Sequence, residues 1–326
     1  MSSILDQVVT VGVESTYGTA QTSTVRSYEA KADTFQRDVE YLQSIGLRRD
    51  MQTIRADRDD TISLGATGSI EFDILNKGAG LLLQHVLGST SGPTQQGSTA
   101  AYRSSFATTD TGPTGSYTVQ VSRVDSGGTL RPFTYEGCTA TGFNIAQELG
   151  SNLVFTLNFD AENEQVSTGE ATPSYPTDAV PFNYTNTVIA IDGTAATNFT
   201  SFTLDGDLGM KTDRRFLNGT ATKGQPKRSA VPSYTGSISA EFKDLTDFNK
   251  FAAGTEFSIN ASWNGASIVS PYNYEVVISI PVAKFTGSSP VASLDDLTMI
   301  DLPFVVLDNG SSAAITMTYT STDTSL

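Results

Sequence analysis

One cysteine and one histidine are all that this 326-residue chain holds of the two most versatile reactive side chains. The lone Cys138 excludes an internal disulfide, and one residue of each kind is too few for a Cys/His zinc site. His85 lies in a helix-like run, Leu81-Leu-Leu-Gln-His-Val-Leu87, with no G-x-S-x-G elbow to present a serine to it. Both residues read as structural. Also absent are a phosphate-cradling G-x-x-x-x-G-K-[ST], a G-x-G-x-x-G opening a helix and, with a single histidine, any H-E-x-x-H. Residues 1–10 show no basic stretch followed by an apolar core, and no later run reaches bilayer-spanning length. These absences predict a protein made and kept in a cytosol, without membrane insertion, cofactor or enzymatic activity.

Charge is scarce and one-sided, with 17% charged residues and a net charge of −15. Such acidity argues against sequence reading or tight phosphate binding. Half of the 20 basic residues nevertheless fall in two short windows, Arg48, Arg49, Arg55 and Arg58 in one, and Lys211, Arg214, Arg215, Lys223, Lys227 and Arg228 in the other. Asp59-Asp60, Asp295-Asp296 and Glu162 with Glu164 admit a glycosidase-like carboxylate pair, but read more simply as solvated turns. Asp205 and Asp207 flank Gly206 without calcium-loop spacing around them.

What is abundant is Thr, Ser and Gly, with aromatic and β-branched residues at alternate positions, a composition suited to many short strands with one solvated face. Period-2 alternation predicts strands at 8–13, 28–38, 68–74, 117–124, 133–145 and 153–160, and again at 188–191, 201–208, 236–242, 257–263, 274–283 and 313–321. Short helices are expected at 79–87, ended by Gly88, and at 245–253. Residues 44–64, 89–115 and 211–233 read as long polar loops, and 164–181 as a linker with three prolines. Tyr135, Phe143, Phe155, Phe159, Trp263, Tyr272 and Tyr274 read as core, with a carbohydrate-binding face as the alternative.

The order of these elements repeats. Gly68-Ser-Ile-Glu-Phe72 returns as Gly236-Ser-Ile238, leading on to Glu241-Phe242, and Gly18-Thr-Ala20 returns as Gly193-Thr-Ala195. Tyr117–Val121 is answered by Phe257–Ala261, Phe133–Glu136 by Tyr272–Glu275, and Leu153–Asp160 by Ala313–Thr320. Five matches in one order predict two tandem all-β units, 1–175 and 176–326, each a small sandwich or partly closed barrel with a flanking helix and a long loop. The two basic windows occupy the equivalent loops.

Val11-Gly-Val-Glu-Ser-Thr-Tyr-Gly-Thr-Ala20, Ser44-Ile-Gly-Leu-Arg48, Gly68-Ser-Ile-Glu-Phe72, the short helix to Leu87-Gly88 and Tyr135-Glu-Gly-Cys138, in that order, resemble the tail tube (major tail) proteins of long-tailed bacteriophages. The resemblance covers most of the first unit and, more faintly, the second. It implies a β-sandwich with a flanking helix, in rings that stack into a hollow tube around a tape-measure protein, between tail terminator and distal tail proteins. It further implies transient passage of double-stranded DNA, and, for a duplicated member, trimeric rings that imitate hexamers. An acidic lumen would repel phosphate and let DNA pass. The resemblance makes Arg48, Arg49, Arg55, Arg58, Lys211, Arg214, Arg215, Lys223, Lys227 and Arg228 candidates for contact between rings. The rival readings are a capsid decoration or distal tail component and a carbohydrate-binding β-sandwich.

Overall fold

The computed structural model describes residues 4–46, 49–50, 52–113, 115–287, 289–290, 294 and 297–326. Its strands are antiparallel throughout, as the alternating sequence predicts. The first half of the chain runs β1 (Val8–Val13), β2 (Val25–Tyr28), β3 (Ala30–Asp33), β4 (Gln36–Gln43), β5 (Asp59–Asp73), α1 (Gly80–Leu87), β6 (Ser89–Gln95), β7 (Tyr102–Ala107), β8 (Tyr117–Val124), β9 (Leu130–Glu148), β10 (Val154–Ala161) and β11 (Asn163–Gln165). The second runs β12 (Thr187–Ile191), β13 (Thr194–Ala195), β14 (Phe199–Asp207), β15 (Met210–Lys211), β16 (Lys227–Arg228), β17 (Ser233–Glu241), α2 (Thr246–Ala253), β18 (Glu256–Val269), β19 (Tyr272–Phe285), β20 (Met299–Val306) and β21 (Thr316–Ser321). The protein is mainly β.

Strand pairing gives each half the same order. In the first it is β4–β5–β10–β9–β8–β1–β2, and in the second β14–β17–β20–β19–β18–β12–β13. Register fixes the correspondence, because Gly68 faces Phe159 where Gly236 faces Phe304, and Tyr117 faces Cys138 where Phe257 faces Ala283. The same irregularity follows each of the last two pairs, between Tyr117 and Val119 and between Phe257 and Ile259. The glycines of the repeated Gly-Ser-Ile are explained by close approach. A Cβ on Gly68 would lie 2.5 Å from Phe35, and one on Gly236 2.4 Å from the Phe304 ring.

The halves are joined by sheet. Residues Ser201–Asp207 of β14 pair with Glu148–Gly142 of β9, so the sheet of the first half continues into that of the second. The β6–β7 hairpin also crosses over, with β7 pairing along β21. Beneath the join, the fully buried Trp263 donates its indole N–H to Gln147 Oε1 at 3.1 Å. Tyr135, Phe143, Phe155 and Phe159 are buried with it, and Tyr272 and Tyr274 are half-buried.

Several expectations need correction. The single strand expected over 28–38 is three, β2 to β4, with a break at Thr34 and Phe35 where Gly68 lets the Phe35 ring pack inward. The loop expected over 89–115 contains the β6–β7 hairpin, whose strand character comes from its partner β21. Strand β20 was not anticipated, because Pro303 argues against a central strand. It is β20 that stands where β10 stands, between the Gly-Ser-Ile strand and the next, so the match of Leu153–Asp160 with Ala313–Thr320 is a likeness of composition. Gly193 likewise closes a tight β12–β13 turn, whereas Gly18 belongs to a longer excursion between β1 and β2.

Candidate functional site

One face of the joined sheet is polar. Register places Glu71, Thr156, Asn144, Asp205, Thr235 and Val305 side by side across six strands, because each directly pairs with the next and paired residues share a face. Neighbouring rows on that face add Asp73, Glu148, Asp207, Glu241 and Asp301 to Ser, Thr and Asn positions. The acids and their Ser, Thr and Asn neighbours in these rows have no lysine or arginine from the six strands among them; Lys31, from β3, reaches in to pair with Asp73 at 2.5 Å. Asn144 and Ser239 steady two of the acids, donating to Asp205 and Asp301 at 2.7 Å. The opposite face, from Phe72 and Phe155 through Ile145 and Leu204 to Phe304, is core.

The basic windows lie on two corresponding hairpin loops and, in the second, on the strands β15 and β16 that flank it. With Gln43 opposite Asp59 and Lys211 opposite Lys227, residues 44–58 and 212–226 are connections of equal length, and position 55 corresponds to 223. The second loop folds back over the first half. Lys223 is buried and ion-paired to buried Asp160 of β10, and Thr222 lies by the Glu162 carboxylate. Leu64 N–H donates to Ala221 O at 2.9 Å, and Arg215 reaches both Ala221 O, at 2.7 Å, and Leu64 O, at 3.2 Å. Arg214 donates to Gln225 O, and Arg228 to Leu208 O and, across the halves, to Thr109 O. These four cations are engaged within the chain, a fact hidden from sequence because Asp160 lies 63 residues from Lys223.

The remaining candidates face solvent. Lys211 pairs with exposed Asp213, at 3.1 Å, and Lys227 is exposed. On the first loop Arg49 is almost fully exposed beside Asp50, Arg55 forms an exposed ion pair with Asp57 at 2.6 Å that holds the Asp57 carboxyl below its ordinary range, and Arg58 is exposed. Arg48 lies outside the described residues, as do Asp295 and Asp296.

Two motifs of the family resemblance, Val11–Ala20 and Tyr135–Cys138, meet at one residue that sequence reasoning did not single out. Buried Glu14 accepts from Gly18 N–H (3.1 Å), Ser116 Oγ (2.6 Å), Thr118 Oγ1 (2.9 Å) and Gly137 N–H (2.8 Å), tying the segment after β1 to the starts of β8 and the bend of β9. Glu136 and Glu162 lie nearby, and burial pushes both carboxyls up. Burial also raises Asp160, a larger effect than the opposing pull of Lys223. His85 is buried and accepts Ala140 N–H at Nε2, 2.9 Å, against the Tyr117 ring; burial drives it down to about 3, so it is neutral. Cys138 is buried, its thiol pushed up by the same cause. The arrangement is one of surfaces and joints. A family model described as phage tail tube protein matches residues 5–306. No curated protein matches the chain.

Proposed function

Because this chain belongs to the phage tail tube protein family, we propose that it polymerises as stacked trimeric rings into the hollow tail tube of a long-tailed phage, each chain supplying two quasi-equivalent units. As a member of that family it is a structural component of the virion tail that self-assembles with other tail components. The finer reading rests chiefly on the β9–β14 joint. It is a heterologous edge-to-edge contact between two halves of the same strand order, and contacts of that kind close into rings when repeated through a suitable rotation. The outer edge of β4, whose place beside β5 is that of β14 beside β17, has no strand partner among the described residues. A neighbouring chain's second half would fill it, and three chains would leave no free edge.

In this reading the polar face lines the lumen. Glu71, Asp73, Glu148, Asp205, Asp207, Glu241 and Asp301 would repel passing phosphates, so DNA slides without condensing on the wall. The tape-measure protein occupies the same lumen first, and the tube ends on the terminator and distal tail proteins. The solvent-facing cations Arg49, Arg58, Lys211 and Lys227 are the candidates for contact between rings, and no step of the function is enzymatic. Assembly takes place in the host cytoplasm. Negative-stain microscopy of the purified protein tests the reading: hollow tubes of repeating rings are expected, and discrete closed particles or dispersed monomers at high concentration would overturn it.

A further inference from the structure

The arm 220–226 and its counterpart 52–58 have opposite surroundings. The first is largely covered where it crosses β5 and β10, with Lys223 and Pro226 buried, whereas every residue of 52–58 is exposed. The ground beneath them differs in the same sense. Ser63, Gly65 and Asp160 are buried under arm 220–226, while the corresponding Val231 and Ser233 are exposed, Val231 to 90%, and Val305 is half-buried. A patch covered in the first half is thus bare in the second.

The chemistry of arm and patch changes together. Within the chain the contact is polar, Thr222 on Glu162 and Lys223 on Asp160. At the corresponding positions the arm has Ile54, 39% exposed, for Thr222, and the patch has Leu307 for Glu162, Val305 for Asp160 and Val231 for Ser63. An exposed Ile54 and an apolar patch, both left uncovered in one chain, replace a threonine and a polar patch closed on each other.

We propose that arm 52–58 of one copy closes over the Val231–Val305–Leu307 patch of the next copy in the same ring, as arm 220–226 closes over the first half within the chain. The inference rests on the ring reading above and adds to it a second lateral contact, an apolar clasp outside the sheet joint, with Ile54 as its anchor. Contact geometry differs in one respect, since Pro232 stands where Leu64 donates its N–H to Ala221 O, and the clasp between copies holds by apolar burial in place of that bond.

The test is a double variant, Ile54→Cys with Leu307→Cys, oxidised after assembly and run without reductant, beside each single variant. Covalent species of two and three chains, ending at three, are expected from the double variant alone. A ladder running past three places the arm between rings and overturns the clasp as stated. Tubes by microscopy with no cross-link overturn the clasp and leave the ring reading standing. Cross-links in protein that forms no tubes keep the contact and remove the ring, and the absence of both overturns both.

Discussion

In the first half α1 buries Leu82, Leu83, Val86 and Leu87, with Leu326 and Phe106 packed close to Gly80; the corresponding α2 buries no residue. The first half is also roofed by arm 220–226 and its β6–β7 hairpin is held by β21. Leu326, arm 220–226 and β21 all come from the second half, whose own α2 buries none of its residues. An acid after the first strand recurs in altered form: Glu14 holds Thr118, while Asp192, in a left-handed turn at φ 49°, accepts Ser258 N–H at 3.0 Å and pairs with Lys250 at 2.5 Å. The strand order is common to both halves, then, and the difference lies in which half is covered inside the chain and which is left open.

The comparison breaks most readily at Trp263. Trp263→Ala removes the largest buried side chain and its bond to Gln147, and is expected to cost about 3–5 kcal/mol in urea unfolding. At the corresponding position Arg123, partly exposed and paired with Asp33, Arg123→Ala costs only about 1 kcal/mol. Equal losses at the two positions would mean that the join is no more deeply packed than the edge.

Lys223 and Arg55 sharpen the contrast, being one position in two settings. Lys223→Ala strands Asp160 in the interior and should lower protomer stability by about 3 kcal/mol. Arg55→Ala leaves the urea midpoint unchanged, because its ion pair is exposed. A smaller and purely assembling effect is expected of Ile54→Asp: an unaltered melting temperature with few or no tubes in micrographs.

The smallest effect is one of pH, and three of the groups behind it lie together in the first half. Burial raises Glu136, Glu162 and Asp160 above the ordinary carboxylate range. A group whose folded-state pKa is raised stabilises the fold below its unfolded value and loses that contribution as pH climbs through the folded one. The melting temperature should therefore decline from about pH 4 toward neutrality. Glu136→Gln with Glu162→Gln should flatten the decline; the second half has Pro281 and Leu307 at those two positions.

Alternation made β8, β17 and the second part of β5 legible from sequence, but the first part of β5, Asp59–Leu64, was read as loop because its residues are polar and mostly exposed. The β6–β7 hairpin was not legible, since Ser89–Gln95 is a strand only by virtue of its partners. Nor was β20, masked by Pro303. The repeat was visible in Gly68 and Gly236, where close approach of an aromatic demands glycine, and misleading at Ala313–Thr320, where only composition matched. The basic enrichment of both loops was plain, but which cations were internal depended on Asp160, Leu64 and Thr109, all distant in sequence from their partners.

The most direct test of the whole account is the symmetry of end-on averaged views of single rings in tubes of the purified protein. Six lobes around an open lumen with three-fold symmetry, two lobes to a chain, is the predicted result. Six-fold rings of six whole chains, or rings of any other number, would contradict it.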